Sequence, residues 1–335
     1  MLNERPMKRL ILTSSSGTDL ERAGLAASVA SVWFRFVWGP LPSPQQLDAY
    51  FGAGSDQSPG DQSPGDHWSD WFPRSRERDA VRDLTFIEYC ASFDRIELWF
   101  DPDPNDQMQL ACLLDHVRSH PETVAKLELR LVGFDLMMIE PTWKGWSEVP
   151  LVKVRPAHVE AASKVWRAYC ASTPEASFDV LPHDLSAFPL LRPALLDLLQ
   201  ELPWSGSGLG ATEMRLLELI GAGFMSTNTL FYLRGFRQRG VFNDKEIGTL
   251  LQGLAHGPRP AIAGLDDELR VIDPENRRAR VEAYRRSRLT VTEFGKAVLA
   301  GADDFSRHNP IDRWWGGTHL TNDNLWRWNL ALTKS

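Results

Sequence analysis

Three carboxylates and two glutamine amides crowd the run LWFDPDPNDQMQL: Asp101, Asp103, Asp106, Gln107 and Gln109. Hard oxygen donors at this spacing suit a hard divalent cation such as Mg²⁺, or an anionic ligand held through one. The same residues also suit a helix start. Asp103 is a good N-cap, Pro104 fits the first helical position, and Asp106 falls at N3, where its carboxylate meets the helix dipole and can reach back to the cap. Leu110, Leu113, Leu114 and Val117 then form a buried stripe. Helix initiation leaves Asp101, Gln107 and Gln109 unexplained, and without a ligand these read as ordinary exposed polar residues.

A second candidate lies at the first strand-to-helix turn. Ser14, Ser15, Ser16 and Gly17 follow the apolar run KRLILT, and such a loop presents backbone N–H groups at the positive end of a helix, where a phosphate or carboxylate can sit. Neither GxGxxG nor GxxxxGK[ST] is present, so steric demand alone also explains the Ser/Gly composition. A third candidate is the basic run NRRARVEAYRRSR, with Arg277, Arg278, Arg280, Arg285, Arg286 and Arg288. Near it lie Arg234, Arg237 and Arg239. The C-terminal HNPIDRWWGGTHLTNDNLWRW adds His308, Asp312 and His319, whose spacing matches no metal motif. Its tryptophans read as packing anchors, with an Asp312–Arg313 pair beneath them.

An Asp-x-Asp at a strand end also fits a phosphoryl-accepting nucleophile, Asp101, with Asp103 as acid, much as in haloacid-dehalogenase-like phosphatases. Such enzymes also require a Ser/Thr, a Lys and a second acidic pair late in the same domain. The best pair here, Asp266-Asp267, lies in the C-terminal part. The histidines, His116, His158 and His183 among them, carry no local triad signature.

The elements that must position these groups alternate. A strand over 8–13, a helix over 19–30, a strand over 31–38, a helix over 76–93, a strand over 96–100, a helix over 105–119 and a strand over 126–132 predict an α/β fold. Its sheet is mostly parallel and flanked by helices, Rossmann-like across residues 1–150. The tandem DQSPGDQSPGD predicts a flexible insertion within 52–68. Residues 151–205 read as a helical bridge. Residues 206–302 read as a winged-helix-like domain: helices over 209–223, 227–239 and 244–254, the first capped by Thr212, then a hairpin of 261–271 with 279–290 that places the arginines on a wing, then a helix over 292–300. Residues 303–335 form a Trp-rich tail.

Composition is that of a folded protein, 43% apolar and 24% charged. The net charge of −7 opposes nonspecific nucleic-acid binding by the whole molecule. Between Ser207 and Ala300, however, 14 Lys/Arg face 11 Asp/Glu, so that region is net positive while the remainder is about ten charges negative. Cys90, Cys112 and Cys170 are widely spaced and include no CxxC pair, which fits a reducing compartment. No apolar run is long enough for a signal peptide core or a membrane span, so the chain reads as cytoplasmic, with no membrane partner.

Four stretches carry a family resemblance: LWFDPDPNDQMQL; WFRFVWGPLP; GLGATEMRLLELIGAG; and LTVTEFGKAVLAG with the NPIDRWWGGTHL that follows it. Over most of its length the chain resembles an uncharacterised bacterial family that pairs an α/β N-terminal domain of unknown function with a winged-helix-like C-terminal domain. Pro102 stands where relatives carry His, and Ser14-Ser15-Ser16-Gly17 stands where they read Asn-Gly-Asp-Ser. The resemblance implies an architecture and no activity.

The expectation is therefore a non-enzymatic binding or regulatory protein, with a small-anion site in the α/β domain and a C-terminal domain that contacts DNA or protein. The alternatives are an Mg-dependent hydrolase or phosphotransfer enzyme using Asp101 and Asp103, and a protein-interaction scaffold. No cofactor is expected apart from Mg²⁺ under the enzymatic alternative.

Overall fold

The computed structural model describes residues 7–14, 18–22, 24–54, 67–72, 74–131, 149–232, 240–266, 277–329 and 332–334. The Asp56–Asp66 repeat, Ser15 to Gly17, and Arg234, Arg237 and Arg239 lie outside these ranges. The chain forms two compact units. Unit 1 comprises 1–36, 41–170 and 180–194; unit 2 comprises 37–40, 171–179 and 195–335. The 151–205 segment is thus shared between them.

Unit 1 is built on a five-stranded sheet in the order β2-β1-β3-β4-β5. Its strands are β1 (Arg9–Thr13), β2 (Ser28–Ser31), β3 (Arg95–Phe100), β4 (Leu127–Leu131) and β5 (Leu151–Lys153). The first four pair in parallel and β5 closes one edge antiparallel. An α/β fold with a mostly parallel sheet is therefore present. Leu10, Ile11, Leu12, Ile96 and Leu98 are almost completely buried, as expected of strands covered on both faces. Inside this core Glu97 is fully buried and paired with Arg9 at 3.1 Å and Arg130 at 3.6 Å, while the Trp99 indole N–H donates to it at 2.9 Å.

Local chemistry shifts several expected boundaries. The first helix, α1 (Thr18–Arg22), spans one turn, and Gly24 at φ 64° turns the chain toward β2. The aromatic run 32–38 is not a strand: the β1–β2 ladder ends as Val32 N–H donates to the Thr13 carbonyl. After α2 (Pro44–Phe51), the region 76–93 splits into α3 (Ser75–Val81) and α4 (Phe86–Ala91), because Thr85 and Glu88 form a reciprocal capping box that starts a new helix. Phe51, Trp68, Trp71 and Phe86 then interlock as a buried aromatic block. Unit 1 continues with α5 (Pro104–Val117), α6 (Pro121–Val124) and α7 (Pro156–Tyr169), the last packed on α5.

The helices α8 (Glu175–Val180) and α9 (Leu191–Gln200) follow. Unit 2 holds α10 (Ala211–Gly221), α11 (Thr227–Tyr232), α12 (Asp244–His256), α13 (Arg277–Arg285) and α14 (Glu293–Leu299), with short strands β6 (Ile262–Ala263) and β7 (Thr290–Val291) paired antiparallel. Leu216, Leu217, Leu230, Leu251, Leu254, Leu289 and Val298 form its core. Gly210, not Thr212, caps α10: the Glu213 carboxylate takes the Gly210 N–H at 2.9 Å, while Thr212 bonds Glu201 through its hydroxyl. Of the expected hairpin strand over 279–290, the part up to Arg285 is instead helix α13, and only its last residue, Thr290, pairs antiparallel, with Ala263. Arg, Ala and Glu favour helix, and Glu282 meets Arg278 and Arg286 at i,i±4, so a helical register satisfies what a strand would scatter.

The C-terminal part forms two hairpins, β8 (Asp312–Trp315) with β9 (Thr318–Thr321) and β10 (Trp326–Trp328) with β11 (Leu332–Lys334). Trp315 is buried and donates its indole N–H to the Leu198 carbonyl at 2.6 Å. Arg313 pairs with Glu213 at 2.8 Å and Asp312 with His319 at 2.7 Å, so the expected Asp312–Arg313 pair does not form. No helix among the described residues is long and apolar enough to cross a membrane.

Candidate functional site

In unit 1 the chain leaves β1 toward β2 on one side and returns to β3 on the other. That reversal makes the carboxyl ends of β1 and β3 a topological switch point, where open α/β sheets bind ligands. Thr13 lies beside Trp99 in the register, so Ser14 and Asp101 emerge as neighbours. The Ser14 hydroxyl accepts the Asp101 N–H at 3.1 Å and also bonds the Asp106 carboxyl.

The expected helix start is present. Asp103 caps α5 by accepting the Asp106 N–H at 3.1 Å, and Pro104 follows in the first turn. This geometry does more than start a helix, because it folds Asp103 and Asp106 onto each other beneath Asp101. Carboxyl oxygens of all three lie within 4.8 Å of one another, and Asp101 and Asp106 are buried. They are the one cluster of potential metal-ligating side chains among the described residues.

Such a cluster is electrostatically costly. Burial, then the Asp103 charge, then that of Asp101 push the Asp106 carboxyl well above its ordinary range, against a lowering hydrogen bond from Ser14. Burial also raises Asp103, while hydrogen bonds from Asp106 and the nearby Arg35 guanidinium act the other way. Both shifts favour a proton held between Asp103 and Asp106. A divalent ion bound there would replace that proton and relieve the repulsion.

Gln107 and Gln109, expected to be exposed, are buried. The Gln107 amide donates to the Asp101 carbonyl at 2.7 Å. Gln109 donates to the Phe34 carbonyl at 3.0 Å and to Asp106 Oδ1 at 3.1 Å, leaving its own buried Oε1 without a partner. Asn105, which the sequence reading passed over, donates to Phe34 O at 2.9 Å and accepts from Phe36 N–H at 3.0 Å. These amides replace a sheet ladder for the aromatic segment and hold it against the first turns of α5. Arg35 was also missed. The available signal was a surplus of amides, Asn105, Gln107 and Gln109, in the first turns of a helix that capping alone does not require.

The other candidates do not join this site. Arg278, Arg285, Arg286 and Arg288 are exposed, the first two on α13 and the last two just beyond it, not on a wing. Arg277 and Arg280 belong to the same helix. His308 pairs with Asp303 at 3.0 Å, separately from the Asp312–His319 pair, so the three C-terminal groups make no common centre. His116 stacks on Phe51 at 4.0 Å, and burial lowers its pKa to about 4, which marks a neutral core imidazole.

No protein-family model matches the chain, and none of the curated proteins compared with it is similar to it.

Proposed function

We propose that unit 1 binds a divalent cation, Mg²⁺ by the hardness of its donors, on Asp101, Asp103 and Asp106, and through it a small phosphorylated ligand at the ends of β1 and β3. The observation that carries this reading is the convergence of three acids at the sheet's switch point, two with pKa values raised by burial. A cation neutralises the carboxylates and leaves coordination positions for phosphate oxygens, and Ser14 stands beside them as a hydroxyl donor. A role as a binding or regulatory protein follows more directly than catalysis, because a carboxylate cluster alone supplies no leaving-group chemistry. Equilibrium dialysis with Mn²⁺ tests the proposal. One saturable site, competed by Mg²⁺ and lost in Asp101→Asn with the fold intact, is expected; no saturable uptake up to millimolar metal would overturn it.

For unit 2 the reading is contact with an anionic partner, DNA first. Its support is the exposed Arg285, Arg286 and Arg288 beside Phe224 and Met225, both large apolar residues open to solvent. The Leu289 N–H to Met225 carbonyl bond of 2.8 Å ties the two stretches together. Mobility shifts of genomic fragments are expected at low salt, to weaken steeply as salt rises, and to fall on replacing Arg285 and Arg286 with Ala. Absence of binding at low salt would remove DNA and leave protein docking for pull-down to identify. A winged-helix classification is part of this proposal: it rests on α10 to α12, the β6–β7 pair and α14, with α13 inserted where the wing was expected.

A further inference from the structure

A cavity of about 820 Å³ opens in unit 1 among the α5–α6 corner, the turn into β4 and the start of α7. It lies toward the amino end of β4, whereas the acidic cluster follows the carboxyl end of β3, so the two are separate sites. The volume is in the range that holds a small organic ligand. Val124, Val154, Pro156 and Val159 make its walls mostly apolar.

The charge at its mouth is one-sided. Arg118, Lys164 and Arg167 line it against a single acid, Glu160. Arg118 and Arg167 both turn to Asp115, at 3.4 Å and 3.3 Å, so even with that carboxylate included the rim stays positive by one charge. Lys164 is the one of these cations with no ion-pair partner among the described residues, and it is exposed, with Glu160 one turn before it on α7. In the wall, the Ser163 hydroxyl is buried and meets no hydrogen-bond partner.

From this arrangement we infer that the cavity binds an amphipathic monoanion, a carboxylate on an apolar chain or ring. The apolar body displaces water from the valine-lined interior, and the carboxylate stays at the mouth on Lys164, where it is only partly desolvated. A neutral molecule of the same shape gains the first contribution and lacks the second. A strongly hydrated polyanion gains the second and leaves the apolar walls unmatched.

Calorimetric titration with decanoate and with decan-1-ol, both below their aggregation concentrations and with chelator present, tests the inference independently of the cation site. Decanoate should bind saturably, one molecule per chain, and more tightly than the alcohol. Lys164→Glu, a change at an exposed position, should weaken decanoate by about tenfold while leaving the alcohol unchanged. Val159→Trp should fill the cavity and abolish both; Ala125→Trp, from the opposite wall, serves if the first variant fails to fold. Absence of saturable decanoate binding, binding indifferent to Lys164→Glu, or an alcohol bound as tightly as the acid would each overturn the proposal.

Discussion

Asp106 is a carboxyl whose surroundings resist its ionisation, and that resistance has measurable consequences. Its folded-state pKa lies above its unfolded value. Between those two values the native state holds a proton that the unfolded chain has released, so stability falls as pH rises through that window. Asp106→Asn keeps the shape and removes the ionisation. In chelator at neutral pH it should therefore melt higher than the parent, by a few degrees for about 1 kcal/mol of relief. Saturating Mg²⁺ should raise the parent's Tm and leave the variant's unchanged. Scanning calorimetry with and without metal distinguishes this from a purely structural role, in which the variant would melt lower in both conditions.

At the scale of elements, α5 does two jobs with one first turn. Its cap gathers the acids, and its amides hold residues 32–38, whose backbone has left the sheet. Asn105→Ala leaves the buried Phe36 N–H unpartnered, a loss of about 1–3 kcal/mol. Hydrogen exchange at Phe36 should accelerate strongly, with exchange in β1 and β3 changed only by the global loss of stability. Equal acceleration throughout unit 1 would contradict a local anchor. The start of α5 was legible in Asp103-Pro104 because capping is local chemistry. The fate of SVWFRFVW was not: its alternation fits a strand, and only the distant amides of α5, together with the Tyr169 hydroxyl on the Phe36 carbonyl, decide otherwise. Likewise the arginine run fits a strand or a helix by its apolar spacing, and the pairs around Glu282 resolve it as helix.

Across the whole molecule, the alternation of strands and helices announced the parallel sheet, but not how the two units share the chain. Residues 37–40 and 171–179 belong to unit 2, and 180–194 return to unit 1. No local pattern encodes such exchanges, since they follow from which apolar faces meet after collapse. Unit 2 carries its own titration. Burial raises the Glu201 carboxyl to about 7 against the lowering bonds from Thr212. The sign is that of Asp106: stability declines as pH climbs from the ordinary carboxylate range to about 7, then levels. Glu201→Gln should flatten that slope in urea titrations read by a unit 2 tryptophan such as Trp315, and an unchanged slope would place the ionisation elsewhere.

We propose that the acids at the sheet's switch point exchange a shared proton for a divalent cation. Calorimetric titration of Mg²⁺ in buffers of different ionisation enthalpy measures this directly. One site per chain is expected, whose apparent enthalpy varies with the buffer, revealing a released proton, whose affinity increases with pH, and whose signal vanishes in Asp106→Asn. Metal binding that releases no proton, or that survives Asp106→Asn unchanged, would contradict it.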